Sequence, residues 1–323
     1  MSAKSAIEWT DATWNPVTGC TKVSQGCKNC YAEREWPRLQ HLPAYTGRTF
    51  TDVRCHPDRL DEPLRWRRPR KIFVCHNADL FHESVPDEFI HRVFGVMGPA
   101  NQHIFQVLTK RPKRMLAFVK SSNRPAETPF GWYFGGPFPL KNVWLGVSVE
   151  DQVTADERIP PLLQTPAAVH WISAEPLLSE INLRAIDLGD LYWLNAMTGT
   201  VRIAHDGGMP AAPDYGRLKW VVTGGESGPK ARPMRPDWVR ALRDQCQAAG
   251  VPFFFKQWGE WAYVSMYEMG GYYMDDQHGV HKLRDDQVCP HVVNLGHKAL
   301  MGRVGKKAAG RMLDGLEWNE YPT

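Results

Sequence analysis

Cys20, Cys27 and Cys30 stand in the run VTGCTKVSQGCKNCYAE as C-x6-C-x2-C, directly after a strand-like segment. Thiolates are strong ligands for soft metals, and three on one short loop can hold a metal centre. Iron–sulfur clusters normally take four cysteines, so three would leave one iron of a [4Fe–4S] cluster open to a ligand from outside the chain. S-adenosylmethionine can fill that corner through its amino and carboxylate groups, and its reduction yields a 5′-deoxyadenosyl radical. The competing reading is structural zinc, for which C-x2-C is the commonest half-site. Zinc needs further ligands, and no second C-x2-C occurs. The residues that could complete such a site are scattered: His41, Cys55-His56, Cys75-His76, and Cys289, His291 and His297 far down the chain.

Such a loop needs a rigid frame. Apolar, β-rich runs recur at Thr13–Thr18, Lys71–Cys75, His103–Thr109, Val143–Val149, Val169–Ser173, Trp220–Thr223 and Pro252–Lys256. Several are almost continuously apolar, as strands buried on both faces of a parallel sheet are. Helices are expected between them at Tyr31–Leu39, Asp87–Met97, Lys113–Lys120, Asp151–Leu163 and Asp237–Ala249. In the last, Pro236 opens the helix, Val239, Leu242, Cys246 and Ala249 form an apolar stripe, and Gly250 ends it. That stripe makes Cys246 a core residue.

Alternating strands and helices imply parallel pairing with right-handed crossovers. Six or seven strands fall short of a closed eight-stranded barrel. The expected fold is therefore α/β, a partial (β/α) barrel of six or seven mainly parallel strands; a doubly wound open sheet is the alternative. The barrel is expected over residues 1–258, with a hairpin insertion around 182–218 and a C-terminal hairpin and helix extension over 259–323. Residues 121–140, rich in Pro, Gly and aromatics, read as a long loop, and Tyr263, Tyr267, Tyr272 and Tyr273 flank a Gly270-Gly271 turn.

Ligands gather at the carboxyl ends of barrel strands, and those ends are polar here. Asp79, Glu150, Glu175 and Glu226 could receive ammonium and hydroxyl groups, while Lys110, Arg111 and Lys256 could pair with carboxylate or phosphate. Gly224 and Gly225 would let the backbone approach a ligand. The expected cofactor-binding set is Asp79, Lys110, Glu150, Glu175, Gly224, Gly225, Glu226 and Lys256. A ring of solvated charges or internal ion pairs is the bland reading of the same residues. No GxxxxGK[ST] phosphate loop occurs.

The 323 residues carry seven cysteines, an odd number that argues against a disulfide framework. The start, MSAKSAIEWT, lacks a signal-peptide pattern, and no apolar run approaches the ~20 residues that span a bilayer. A cytoplasmic protein with no membrane partner is expected. Net charge is only +4, yet Arg65, Arg67, Arg68, Arg70, Lys71, Lys110, Arg111, Lys113 and Arg114 concentrate nine of the 39 basic residues in two runs. The first, interleaved with Trp66, suits phosphate contact and base stacking by a nucleic acid, or is a solvated basic loop.

Taken together, IEWTDATWNPVTGC and GCKNCYAE, Asp79-Leu80-Phe81, LTKRP (Leu108–Pro112), WLGVSVE (Trp144–Glu150), SAEPLL (Ser173–Leu178), TGGESG (Thr223–Gly228), FFFKQWG (Phe253–Gly259) and GKKAAGRMLDG (Gly305–Gly315) resemble the phage-associated three-cysteine proteins of unknown function. That family is similar to radical S-adenosylmethionine enzymes, and the resemblance covers nearly the whole chain outside the hairpin insertions. It implies a cytoplasmic protein of phage or mobile-element origin with a radical-enzyme-like barrel, a [4Fe–4S] cluster, S-adenosylmethionine, and an electron donor such as a flavodoxin or ferredoxin. The pattern departs from the wider superfamily, whose usual spacing is C-x3-C-x2-C with an aromatic before the last cysteine; here Tyr31 follows it. The superfamily's GGE follows the second strand, whereas Gly224-Gly225-Glu226 follows the sixth. Asp79, after the second, and Glu226 are thus equal candidates for the methionine ammonium. The expected function is a radical enzyme acting on a nucleic acid or nucleotide. The alternative is a non-catalytic nucleic-acid-binding or host-interaction protein stabilised by zinc or an iron–sulfur cluster.

Overall fold

Seven short apolar segments build one sheet. The computed structural model describes residues 5–122, 138–203, 214–263, 272–274, 280–282, 292–294 and 300–323. The principal sheet consists of β1 (Ala12–Trp14), β2 (Lys71–Val74), β3 (Ile104–Thr109), β4 (Val143–Ser148), β5 (Val169–Ala174), β6 (Leu218–Gly224) and β7 (Phe253–Gln257), side by side in chain order. Every neighbouring pair is parallel. A doubly wound sheet reverses its strand order at a switch point; this one never reverses, and it curls into a half-barrel.

Both faces are covered, which explains why β4 and β5 are buried at every position. Helices α1 (Tyr31–Leu39), α2 (Asp87–Met97), α3 (Pro112–Ser122), α4 (Gln152–Leu163) and α5 (Pro236–Ala249) lie between strands in sequence. The larger core includes Ile90, Phe94, Ile159, Leu242 and Cys246 with apolar strand residues. Asp151 begins α4 through a reciprocal capping box with Thr154. A second apolar cluster contains Trp9, Phe73, Trp144, Trp171, Trp220 and Phe254. Trp9 packs 4.7 Å from Phe73 and 5.3 Å from Trp171, and Trp171 lies 5.2 Å from Trp220, centroid to centroid.

The expected strand Thr13–Thr18 is two pieces. Pro16 has no N–H to donate to a ladder, so the chain leaves the sheet after Trp14, and Val17–Thr18 pairs antiparallel with Arg54–Cys55. The 182–218 insertion holds a three-stranded antiparallel sheet of Ile186–Gly189, Tyr192–Asn195 and Thr200–Ile203. Towards the C-terminus, Trp261–Tyr263 pairs with Leu300–Arg303, while Tyr272–Met274 pairs with Val280–Lys282. Tyr267, the Gly270-Gly271 turn, Cys289, His291, His297 and residues 123–137 lie outside the described residues. The last residues return along β7: Phe255 N–H donates to Trp318 O at 3.0 Å and Glu320 N–H to Phe253 O at 3.2 Å. They thereby cover the sheet's last edge. Among the described residues no helix is long and apolar enough to cross a membrane.

Candidate functional site

The segment after β1 crosses the carboxyl end of the half-barrel and is held there by side chains from four strand ends. Thr21 Oγ1 accepts from Arg111 Nη2 at 2.9 Å, beyond β3. Ser24 Oγ donates to Glu150 Oε1 at 2.9 Å, beyond β4. Asn29 Nδ2 donates to Glu226 Oε2 at 3.0 Å, beyond β6, and to Lys230 O at 2.8 Å. Tyr31 O–H donates to His76 O, beyond β2. Arg34 Nη1 reaches Ser227 O at 2.8 Å, so the first turns of α1 are fastened to the same end of the sheet.

Beneath this loop lies a cavity of about 690 Å³, into whose wall Cys20, Cys27 and Cys30 all project. Its lining also includes Trp9, Phe73 and Leu108, members of the aromatic cluster and its fringe. Cys20 and Cys30 pack against a separate group of Trp36, Tyr45 and Phe50. Burial pushes the Cys20 thiol up to about 12, with Asp79 adding to the rise and Arg111 opposing it. Burial likewise raises the Cys30 thiol. Arg111 Nη1 stands 3.8 Å from Cys20 Sγ, a donor positioned for sulfur charge. Metal binding at these thiols must therefore displace protons, as metal–thiolate sites do.

Both metals expected from sequence take thiolate ligands. Among the described residues no group of three His, Cys, Asp or Glu is arranged to hold a metal ion. Zinc would require sulfurs gathered around a single centre at Zn–S ≈ 2.3 Å. An iron–sulfur cube instead binds each cysteine to a different iron, so its ligands stand further apart around a wider cavity. Three thiols on one loop, backed by aromatic packing and facing a cavity, fit that wider group. Cys75 also lines the cavity, from the end of β2, and is fully buried. Cys55 is partly buried on the strand paired with Val17–Thr18.

The strand-end residues divide into two groups. Asp79 is spent on the protein: Oδ1 accepts from Thr109 Oγ1 at 2.7 Å and Phe81 N–H at 2.9 Å, and Oδ2 from Arg111 Nη1 and Lys110 N–H, each at 3.1 Å. Glu150 is wholly buried and does not line the cavity. It accepts from Lys110 Nζ, from Ser24, and from Arg158 Nη1 at 3.2 Å. Burial pushes its carboxyl up, but the charges of Lys110 and Arg158 outweigh this and hold it below the usual range. Glu226 takes Arg232 Nη2 at 2.7 Å and Arg232 Nε at 2.9 Å, besides Asn29. Here too burial raises the carboxyl, and the hydrogen bonds from Arg232 and Asn29 bring it below its ordinary value. All three acids bond the cysteine loop or its supports; Asp79 and Glu226 also line the cavity, where the sequence reading expects ligand-facing acids, whereas Glu150 does not.

Glu175 and Lys256 pair with each other at 2.8 Å, and both line the cavity, as Asp79 and Glu226 also do. Gln257 stands beside them, its Oε1 buried without a partner among the described residues. Gly225 lines the cavity, but its lack of a side chain answers to β7: a Cβ there would lie 1.9 Å from Trp258 O. Gly224 ends β6 outside the cavity lining. His76 lines the cavity as a neutral imidazole, burial having pushed it down to about 4.

Sequence reading missed Ser24, Gly26, Asn29, Arg158 and Arg232. Their partners lie from 6 to 207 residues away, and nothing local announces the long-range pairing. Gly26 allows the loop to sit on Glu150, because a Cβ would fall 2.4 Å from the Glu150 side chain. Gly26→Ala should displace the loop and lower metal retention severalfold, measured as iron per chain after anaerobic reconstitution and desalting; wild-type retention would show that the contact is dispensable.

The two basic runs lie at different ends of the sheet: Lys110 and Arg111 of the second line the cavity. Residues 65–70 precede β2, at the amino end of the sheet: Ile104 N–H donates to Arg70 O and His103 Nε2 bonds Pro63 O. Arg65 pairs with Asp61, Arg70 covers Trp66 at 4.9 Å, and Lys71 covers Tyr321 at 4.1 Å. Trp66 is half-buried against the core, with Arg70 over its ring. In the second run Arg111 and Arg114 are committed to Asp79, Glu83 and Asp87. Of the C-terminal cations, Lys306 lines the cavity mouth and lies 3.7 Å from Glu8, whereas Arg311 packs over Phe254.

No curated protein matches the chain significantly. Among solved structures, a mutant of spore photoproduct lyase is similar to it at 11% identity and TM-score 0.37, covering 85% of this chain and 69% of that one. A likeness that slight says nothing about activity. A family model described as a protein of unknown function, DUF5131, matches residues 4–322. With the loop, the strand ends and the C-terminal return all inside that match, the chain belongs to the DUF5131 family of proteins of unknown function.

Proposed function

We propose that the protein is an iron–sulfur enzyme of the radical S-adenosylmethionine type, with Cys20, Cys27 and Cys30 as the cluster ligands. The observation that carries this reading is the placement of three thiols from one loop in the wall of a cavity at the carboxyl end of a half-barrel. A [4Fe–4S] cluster and S-adenosylmethionine bound there would supply a 5′-deoxyadenosyl radical for hydrogen abstraction.

The chain's own residues hold and screen that chemistry. Glu150, Asp79 and Glu226, each satisfied by protein donors, fix the loop without offering free charge to a ligand. Trp9 and Phe73 form an apolar floor that excludes water. Arg111 stabilises negative charge on Cys20. Glu175, Lys256 and Gln257 supply the polar contacts for orienting a ligand with hydrogen-bond donors and a carboxylate or phosphate.

Space limits the substrate. The cavity is of small-molecule size, so a nucleic acid would enter only as one extruded nucleotide. Its duplex would then lie at the carboxyl end of the sheet, away from Arg65, Arg67, Arg68, Arg70 and Lys71. Arg67→Ala combined with Arg68→Ala should leave 5′-deoxyadenosine formation within about twofold of wild type; a large loss would restore the basic run to the working surface.

The test of the proposal is anaerobic reconstitution with iron and sulfide, followed by dithionite and S-adenosylmethionine. About four irons per chain and release of methionine and 5′-deoxyadenosine are expected. One tightly bound zinc per chain, with no cleavage after iron reconstitution, would sink it.

A further inference from the structure

Two cations in the cavity wall are fixed in place without a carboxylate in hydrogen-bond contact. Arg34, in the first turns of α1, and Lys306, in the short helix Lys306–Ala309 beyond β7, both line the cavity. Their side chains are also 36% and 48% exposed, so they stand at its rim. Hydrogen bonds connect the elements that carry them. Arg34 Nη1 donates to Ser227 O at 2.8 Å, and the next residue, Gly228, donates its N–H to Glu260 Oε1 at 2.8 Å. The N–H groups of Val304 and Gly305, just before Lys306, both donate to Glu260 O at 3.0 Å. Gly228 takes φ +106°, and a Cβ there would fall 1.6 Å from Arg34 Nη1, so glycine is what lets the guanidinium lie across this turn.

The acids of the rim stay at a distance from these two groups. Lys306 Nζ lies 3.7 Å from Glu8 Oε1 and Arg34 Nε 3.8 Å from Glu35 Oε1, both beyond hydrogen-bond reach. Glu35 gives its short contact, at 2.9 Å, to Arg38. Glu260 is 4.0 Å from Arg303, which donates to Gly228 O. Deeper in the same cavity the pairs are closed: Lys256 meets Glu175 at 2.8 Å, and Arg111 meets Asp79 at 3.1 Å. A guanidinium held by a backbone carbonyl keeps its charge, and a lysine at 3.7 Å from its carboxylate keeps its donors for another acceptor.

We infer that Arg34 and Lys306 form an anion subsite at this rim, which holds the phosphate group of a phosphorylated substrate while the rest of that molecule enters the cavity. The inference rests on the reading of the cavity as a reaction chamber and adds the charged group by which its substrate is recognised. Arginine presents a rigid fork of N–H donors and lysine a point charge on a flexible stem, a combination that suits the several oxygens of a phosphate. Glu8 is the internal competitor, since phosphate binding draws Lys306 away from it.

The test is phosphorus NMR of inorganic phosphate titrated with the full chain, where line broadening reports binding. Lys306→Gln and Arg34→Gln should each weaken binding about tenfold, and equal denaturation midpoints would verify the fold, most simply for the exposed Lys306. Glu8→Gln should tighten binding by about two- to fivefold, a gain that an unstructured basic surface would not give. The Arg67→Ala plus Arg68→Ala protein, altered at the other end of the sheet, should bind as wild type does. Cytidine 5′-monophosphate and the phosphodiester cytidylyl-cytidine then separate the sources: tighter binding of the first supports the subsite for a free phosphomonoester, and of the second for a nucleic-acid strand. No binding to wild type, or equal binding by wild type and Lys306→Gln, overturns the subsite whatever the metal content. Failure of wild type to retain iron while it binds phosphate overturns the metal reading alone.

Discussion

Cys20→Ser, Cys27→Ser and Cys30→Ser should each reduce iron retention from about four per chain to near zero, and each should abolish S-adenosylmethionine cleavage. Cys75→Ser should retain both. All four thiols line the same cavity, so exposure to that space does not separate them. Position on the chain does: the first three ride on the loop, whereas Cys75 is locked at the end of β2, its N–H donating to Trp14 O at 2.8 Å. Burial raises the Cys75 thiol as it does the Cys20 thiol, so proton affinity does not separate them either. Iron analysis and visible absorption after anaerobic desalting decide the matter. Loss of iron from the Cys75 variant equal to that from Cys27→Ser would mean four protein ligands and no open corner for a cofactor.

The second large effect is expected at Glu150. Its carboxylate is wholly buried and neutralises two cations, Lys110 and Arg158, whose side chains are 20% and 3% exposed. Glu150→Gln keeps the shape and removes the charge, leaving both cations without their counter-ion. Breaking a buried pair from one side costs about 3–5 kcal/mol, and Ser24 loses a charged acceptor as well. The unfolding midpoint in denaturant should fall accordingly, and iron retention should fall with it.

The pH dependence has a definite sign. Despite the burial that raises it, the folded Glu150 carboxyl lies below its ordinary value of 4.5, because Lys110 and Arg158 favour the anion. The unfolded chain therefore takes up this proton first as acid is added. The stabilisation is complete above pH 4.5 and is lost as the pH falls through the lower folded value. In Glu150→Gln that part of the acid sensitivity should disappear. An unchanged acid-unfolding curve, together with wild-type stability at neutral pH, would remove Glu150 from the anchoring role.

Much of the frame was legible because strand and helix formation depend on local pattern. Continuous apolar runs such as Val143–Val149 can be buried only on two faces, and they became central strands. The Asp237–Ala249 stripe found Val239, Leu242 and Cys246 in the core. The break at Pro16 was readable in principle, from a residue with no donor, but the apolar residues on either side obscured it. The polar strand ends were correctly located, since a strand's carboxyl end follows from its direction alone.

Their partners were not legible. Glu150 looked like a ligand-facing acid because it follows the carboxyl end of a strand; only folding brings Ser24, Lys110 and Arg158 around it. That the basic run at 65–70 lies at the amino end of the sheet followed only from the direction of β2. The spacing of three cysteines on one loop, and the order of strands that carries it, came from the chain itself, because covalent connection and side-chain periodicity are local properties. Which acids would be consumed as anchors and which left facing the cavity came from tertiary structure alone. A carboxylate's availability depends on the donors that surround it, and those donors arrive from distant parts of the chain.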